Sequence, residues 1–250
     1  MSSAPPVVRI AMWSGPRNIS TAMLRCWGSR PDTVVWDEPF YAHYLQQTSD
    51  RRHPGYEQTL DHHQADWRRV AELLLAPLPA GKTVGYQKQM AHHLLPEVGR
   101  EWVDSLLNCF LIRHPAAVLM SMIEFIANPR PEDIGLPQQV ELFERERQRT
   151  DKIPSVIEAN DVLRNPTATL SLLCERVGVP FTKAMLQWNP GPRDSDGAWG
   201  PFWYEKVYKT TGFGPPRKDV VDVPPSLKGV LDDCLPLYER LAKHKLKFDG

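Results

Sequence analysis

The sequence predicts a three-layer α/β/α fold with a mainly parallel central sheet, and three observations carry that prediction. Short β-branched or apolar runs alternate with longer helical patterns, each run closes on polar residues, and no apolar stretch reaches membrane-spanning length. Alternation of this kind builds a parallel sheet with helices on both faces. Ligands of such sheets bind beyond the carboxyl ends of the strands, so the closing polar residues mark the edge where chemistry is expected.

The elements follow in order. Val7 to Trp13 reads as the first strand, ending in Ser14-Gly15-Pro16 and leading into a helix through Ile19 to Leu24. Thr33 to Trp36 is a second strand, closed by Asp37-Glu38-Pro39. Thr83 to Gln87 is a third, Cys109 to Ile112 a fourth closed by Arg113-His114-Pro115, and Ser155 to Glu158 a fifth. Helical patterns cover Trp67 to Leu75, Ala116 to Ile126, Gln138 to Arg149, Thr167 to Val177 and, last, Ser226 to Ala242. Residues 188 to 225 are rich in Trp, Pro and Gly, too aromatic for a disordered linker, and read as a packed lid or substrate loop. With no internal repeat and 250 residues, a single domain over 1–250 is expected.

Composition narrows the function classes. Hydrophobic residues make up 42% and charged residues 24%, as in ordinary globular chains. Lys and Arg number 30 against 30 Asp and Glu without a run of like charge, so no nucleic-acid footprint is expected and any anion site is local. Cys26, Cys109, Cys174 and Cys234 lie far apart without zinc-ligand or disulfide-framework spacing, which fits a reducing cytoplasm. MSSAPPVVRIAMW has no signal-peptide pattern, so a soluble cytoplasmic protein without a membrane partner is expected.

The turn Trp13-Ser14-Gly15-Pro16-Arg17-Asn18-Ile19-Ser20-Thr21 places a glycine, a cation and two hydroxyls between a strand and a helix N-terminus. Free backbone N–H groups there favour a phosphate. An ordinary βα turn with Asn18 as N-cap is the alternative. The turn is not a Walker A loop, since the second glycine and the lysine of that motif are missing, which disfavours ATP hydrolysis.

Strand, Pro16-Arg17-Asn18, then Ser20-Thr21 and a helix is similar to the 5'-phosphosulfate loop of sulfotransferases that use 3'-phosphoadenosine 5'-phosphosulfate, with Arg17 where the cytosolic enzymes usually carry lysine. Phe110-Leu111-Ile112-Arg113-His114-Pro115, followed in the next helix by Ser121, resembles the element whose arginine and serine grip the donor's 3'-phosphate. Arg113 offers a planar fork at a strand tip, and Pro115 suits the first position of a helix. Gly214-Pro215-Pro216-Arg217-Lys218 resembles the family's R-K-G segment on the same phosphate, with Asp219 in place of the glycine. Asn160 to Pro166, and Val177-Gly178-Val179-Pro180-Phe181, also look like bacterial members. The resemblance implies a P-loop-like sulfotransferase fold, no obligatory metal, and adenosine 3',5'-bisphosphate as the product left by the donor.

Sulfuryl transfer needs a base for the acceptor hydroxyl or amine and positive charge at the moving oxygens. Glu38 resembles the catalytic glutamate of branches that sulfate sugars and proteins; a helix-start acid is its bland reading. His92 and His93 resemble the K-T-H element of phenol and steroid sulfotransferases, although His92 lies four residues past Lys88 instead of two. Glu38 is preferred, with His92 or His93 as rival or helper, while Lys88 and Arg17 are expected to supply charge. Asp37-Glu38 also resembles a Walker B end, which would imply Mg-ATP and a kinase or NTPase; a non-catalytic nucleotide-binding protein is the remaining alternative. Asp61, His62, His63 and Asp66 match no metal motif and read as an exposed loop. Trp199, Trp203, Tyr204 and Tyr208 read as core packing, with an acceptor pocket as the alternative. A small-molecule or carbohydrate acceptor is expected.

Overall fold

A computed structural model describes residues 6–217 and 222–247. Five strands, β1 (Val8–Ser14), β2 (Thr33–Asp37), β3 (Val84–Met90), β4 (Leu107–Ile112) and β5 (Ser155–Glu158), form one all-parallel sheet in the order β2-β3-β1-β4-β5. The alternation within β1 divides the core. Ile10 and Met12 face a layer containing Met23, Trp27 and Leu173, whereas Ala11 and Trp13 face one containing Phe110, Phe143 and Leu119.

The helices are α1 (Ser20–Gly28), α2 (Tyr41–Thr48), α3 (Tyr56–His62), α4 (Trp67–Leu75), α5 (Pro115–Met122), α6 (Pro131–Ile134), α7 (Leu136–Thr150), α8 (Ala159–Arg164), α9 (Pro166–Arg176), α10 (Gly200–Trp203), α11 (Glu205–Tyr208) and α12 (Pro225–Ala242). Helices α1 and α9 contribute to the first layer, and α5, α7 and α12 to the second. None of the helices among the described residues is long and apolar enough to cross a membrane.

Strand β3 runs to Met90, three residues past the expected Gln87. Polar Lys88 and Gln89 continue it because the sheet buries them with partners, Asp37 on β2 for Lys88 and Gln87 on β3 itself for Gln89. Helix α5 stops at Met122 instead of Ile126. The N–H groups of Phe125 and Ile126 both return to the Met122 carbonyl, which turns the chain and brings these two side chains to the cavity described below.

Around His62 and His63, Asp61, His62 and Asp66 are exposed as expected, while the loop reading is corrected at Asp61 and His62 and the exposure at His63. Asp61 and His62 belong to α3, Asp66 caps α4 by accepting from the Arg68 N–H, and half-buried His63 accepts at Nε2 from the Ala198 N–H at 3.0 Å. The segment reads as polar in isolation because its partner lies 135 residues away.

Candidate functional site

The carboxyl ends of β1, β2 and β3 open onto a cavity of about 440 Å³. Pro16 to Thr21, Glu38, Lys88, His92, His93, Ser121 and Arg217 all contribute to its wall. Residues far apart in sequence therefore meet where the strand ends predict. Lys218 lies outside the described residues.

The turn after β1 is strained. Arg17 has φ 61° and the β-branched Ile19 φ 66°, left-handed backbone that such residues avoid. Left-handed residues in a turn converge N–H groups into an anion-binding concavity. Two contacts hold the conformation. Asn18 Nδ2 donates to the Leu111 carbonyl at 2.8 Å, and the buried Arg113 donates through Nη1 to the Arg17 carbonyl at 2.5 Å. Asn18 is thus not the N-cap; Ile19 takes that position, with no side-chain cap. Arg113 is not part of the cavity wall and instead fixes the turn from β4.

Ser14 and Gly15 also sit behind the wall. Ser14 is buried and its hydroxyl donates to the Gln89 carbonyl at 3.4 Å. A Cβ at Gly15 would run into the Ile134 carbonyl, so this glycine serves the close approach of α6 to the turn.

Arg17 reaches across the cavity, donating through Nε to Ser121 Oγ at 3.0 Å with its guanidinium 4.6 Å from the Phe125 ring centroid. Burial lowers its pKa, Glu124 partly offsets that, and Arg217 nearby adds to the lowering. Two cations and three hydroxyls, from Ser20, Thr21 and Ser121, therefore share one wall, a donor set suited to phosphate or sulfate groups.

Opposite lies a buried ionic cluster. Lys88 is 1% exposed and donates to Asp37 Oδ1 at 2.9 Å, Glu38 Oε1 at 2.6 Å and the Tyr204 hydroxyl at 2.5 Å. An ammonium has three donors, and all three are engaged. Lys88 lines the cavity while pairing with the two carboxylates. Tyr204 also contacts both Asp37 oxygens, at 2.9 and 2.8 Å, and accepts from Trp199 Nε1 at 2.9 Å. The aromatic segment thus closes the cluster, and Tyr204 has a polar duty that core packing did not predict.

Glu38 leaves β2 at φ 43°, which turns its carboxylate to the cavity. Burial raises its pKa, Lys88 opposes, Asp37 adds to the rise, and the net direction is up from 4.5. For Lys88, burial lowers the pKa but Asp37 and Glu38 outweigh it, so the ammonium stays charged. His92 and His93 follow β3 in a 3₁₀ turn and are buried. Burial, with His53 nearby, drops His92 to about 3, and burial with His92 nearby drops His93 well below 6.5. Both imidazoles are neutral and weakly basic at pH 7, which separates them from Glu38 as proton acceptors.

Sequence reasoning missed Tyr41, Tyr44, His53 and Asp133, which complete the wall beside the histidines. Tyr41 stacks on His93 at 4.6 Å and its hydroxyl meets His53 Nδ1 at 2.7 Å. For Tyr41 and Tyr44 the signal was the aromatic spacing just after Glu38. Among the described residues, no group of three or more His, Cys, Asp or Glu is placed to hold a metal.

The comparisons with known proteins agree with this architecture. The family described as sulfotransferase domain matches residues 8–245. Branched-chain-amino-acid aminotransferase-like proteins 2 and 1 of Arabidopsis thaliana are each 33% identical over 235 residues, 94% of this chain. The chain spans only 41% and 42% of the length of those two relatives. Among solved structures, the sulfotransferase domain from the Synechococcus PCC 7002 olefin synthase superposes with a TM-score of 0.60 at 17% identity, covering 100% of this chain and 98% of its own. A sulfotransferase from Alicyclobacillus acidocaldarius gives 0.55 at 12% identity, covering 97% and 98%. At these identities the likeness is one of fold.

Proposed function

Because this chain belongs to the sulfotransferase domain family, we propose that it transfers a sulfuryl group from 3'-phosphoadenosine 5'-phosphosulfate to a hydroxyl or amine of a small-molecule or carbohydrate acceptor. The observation that carries the reading is Glu38. It is a carboxylate of raised pKa, held by a buried lysine, that shares a cavity with a strained turn, Arg17 and Arg217.

The donor set on the cavity wall fits a nucleotide carrying phosphate and sulfate groups. In this reading the N–H groups of Pro16 to Thr21, except the proline's, and the Ser20 and Thr21 hydroxyls hold the 5'-phosphosulfate at the start of α1. Ser14 and Gly15 shape that turn from behind. Arg17 neutralises charge on the sulfuryl and bridging oxygens. Ser121, Arg217 and Lys218 bind the 3'-phosphate, and Arg113 serves it by fixing the turn and adding positive charge from below. The segment 188–225 acts as a lid, since Tyr204 and residues 212–217 reach the cavity from it.

Glu38 accepts the acceptor's proton as the new bond from the acceptor oxygen or nitrogen to sulfur forms. The sulfur–oxygen bond to the 5'-phosphate breaks with its electron pair, leaving adenosine 3',5'-bisphosphate, and Glu38 returns its proton to solvent. A cytoplasmic setting suits the four buried, unpaired thiols.

Calorimetric titration with adenosine 3',5'-bisphosphate and separately with Mg-ATP, at matched salt, tests the donor. Metal-independent binding of the bisphosphate is expected. Preference for Mg-ATP would replace this reading with the kinase class, and donor binding without transfer to any acceptor would make the chain a non-catalytic nucleotide-binding protein.

A further inference from the structure

Tyr204 is 3% exposed and brings one phenolic proton into the ionic cluster. Its hydroxyl meets five polar atoms. Lys88 Nζ at 2.5 Å and Trp199 Nε1 at 2.9 Å donate to the oxygen and take both of its lone pairs. The O–H is left to donate, and it faces carboxylate oxygens: Asp37 Oδ1 and Oδ2 at 2.9 and 2.8 Å, and Glu38 Oε1 at 3.2 Å. The two N–H donors polarise the phenol and strengthen the one bond it gives.

This hydroxyl reaches Glu38 from outside the sheet. Tyr204 lies between α10 and α11, in a segment that three contacts pin over the strand ends. Arg25 on α1 donates through both Nη atoms to the two Asp196 oxygens, at 2.5 and 2.7 Å, and both side chains are buried. The Gly197 N–H donates to Asp37 Oδ2 at 3.2 Å, and the Ala198 N–H donates to His63 Nε2 at 3.0 Å. From the sheet side Glu38 is met by Lys88 at 2.6 Å, an ammonium it shares with Asp37. A carboxylate turned into the cavity on left-handed backbone needs a second point to fix its plane, and Tyr204 supplies it.

Resting on the reading of Glu38 as the proton acceptor of transfer, we infer that Tyr204 is a positioning residue whose hydroxyl orients the Glu38 carboxylate and sets how strongly it holds a proton. A donor to the ionised form favours ionisation. Burial raises the pKa of Glu38, Lys88 lowers it, Asp37 raises it and the Tyr204 hydroxyl lowers it. Glu38 also faces Tyr41 on α2 and shares the cavity wall with Arg17, His92 and His93. Tyr41 and the two buried imidazoles are uncharged where Glu38 titrates, and Lys88 and Arg17 stay charged throughout, so the phenol is the adjustable contact.

The test reads Glu38 directly. The full chain, carrying carbon-13 at the glutamate side-chain carboxyls, is titrated by NMR, and the Glu38 signal is the one that Glu38→Gln removes. Tyr204→Phe keeps the ring and its contact with the Lys88 ammonium, 4.6 Å from the ring centroid, and deletes the hydroxyl. Its Glu38 midpoint should rise by about one pH unit, the scale of one charge-assisted hydrogen bond. Tyr204→3-fluorotyrosine makes the phenol a stronger donor, and because burial holds the Tyr204 pKa well above its usual value the group keeps its proton. Here the Glu38 midpoint should fall below that of the wild type. Opposite shifts are beyond a residue that only packs. A midpoint in either variant that stays at the wild-type value or moves the other way overturns the inference; if Tyr204→Phe does not fold, Tyr204→3-fluorotyrosine decides alone. Calorimetry with adenosine 3',5'-bisphosphate on the same samples separates the two readings. A wild-type chain that fails to bind it removes the role of Glu38 in transfer and the inference with it, whereas bound bisphosphate with unmoved midpoints removes the role of Tyr204 alone.

Discussion

Lys88→Met removes the cation from a cluster in which two carboxylates meet one ammonium. At 1% exposure, Lys88 has almost no solvent to screen it, so the loss is that of breaking a buried pair, about 3–5 kcal/mol. For a chain of this size each kcal/mol moves the melting temperature by about 2–4 °C, giving a drop of roughly 6–20 °C at pH 7. The pH dependence follows from the two shifts. Glu38 is raised above 4.5, so its ionisation already weakens the fold as pH rises, and without Lys88 that penalty grows. Lys88 is raised above 10.5, so its contribution is intact below that value and fades only as pH climbs through the folded one. The gap between wild type and variant should thus be small near pH 4, open above it and persist to about pH 10. Urea unfolding at pH 4 and pH 7 measures it. A loss under about 1 kcal/mol at pH 7, or the same loss at both pH values, would refute the buried-cluster reasoning.

Three further substitutions separate the roles. Glu38→Gln should lower transfer by about 10²- to 10⁴-fold with bisphosphate affinity unchanged, and should abolish an acid limb in kcat/KM whose midpoint lies above 4.5; a fully active variant would move the base elsewhere. Arg113→Ala should weaken the bisphosphate by about 1.5–3 kcal/mol, because the turn loses both a nearby charge and the clasp on the Arg17 carbonyl; calorimetry on the folded variant decides it. Gly15→Ala should destabilise the fold by roughly 1–3 kcal/mol and also weaken the bisphosphate, since the added methyl must push α6 and the turn apart; an unchanged melting curve would show that the two can separate freely.

The sheet was readable because strand periodicity is local. Ser155–Glu158 and Trp67–Leu75 have the bounds their patterns predict, and the remaining strands differ by one to three residues. Strand β3 was read short because a lysine is rarely buried, and only the fold shows that Asp37 and Glu38 wait beside it. Helices α2 and α3 were missed since their apolar positions face a small aromatic cluster rather than the main core. The two phosphate-type turns were legible as motifs, but the contact of Arg113 to the Arg17 carbonyl was not, because it spans 96 residues. Tyr204 shows the limit most clearly: aromatic spacing gives its burial, while its hydrogen bonds to Asp37 and Lys88 exist only once the lid segment is folded back.

Sheet register is what places Glu38. Asp37 pairs directly with Lys88 across the parallel β2–β3 ladder, and the Glu38 N–H donates to the Lys88 carbonyl at 2.9 Å. A slip of one residue would turn Lys88 to the opposite face, leaving two buried carboxylates without a cation. The same β3 pairs Met90 with Ser14 at the end of β1, where the strained turn begins. One strand thus sets both the height of the carboxylate and the height of the anion-binding turn, with the lysine that stabilises the first buried between them. The spacing of Glu38 from the turn and the stability of the fold then depend on the same contacts. Lys88, with its donors engaged by Asp37, Glu38 and Tyr204, thus holds Glu38 in position from within the sheet.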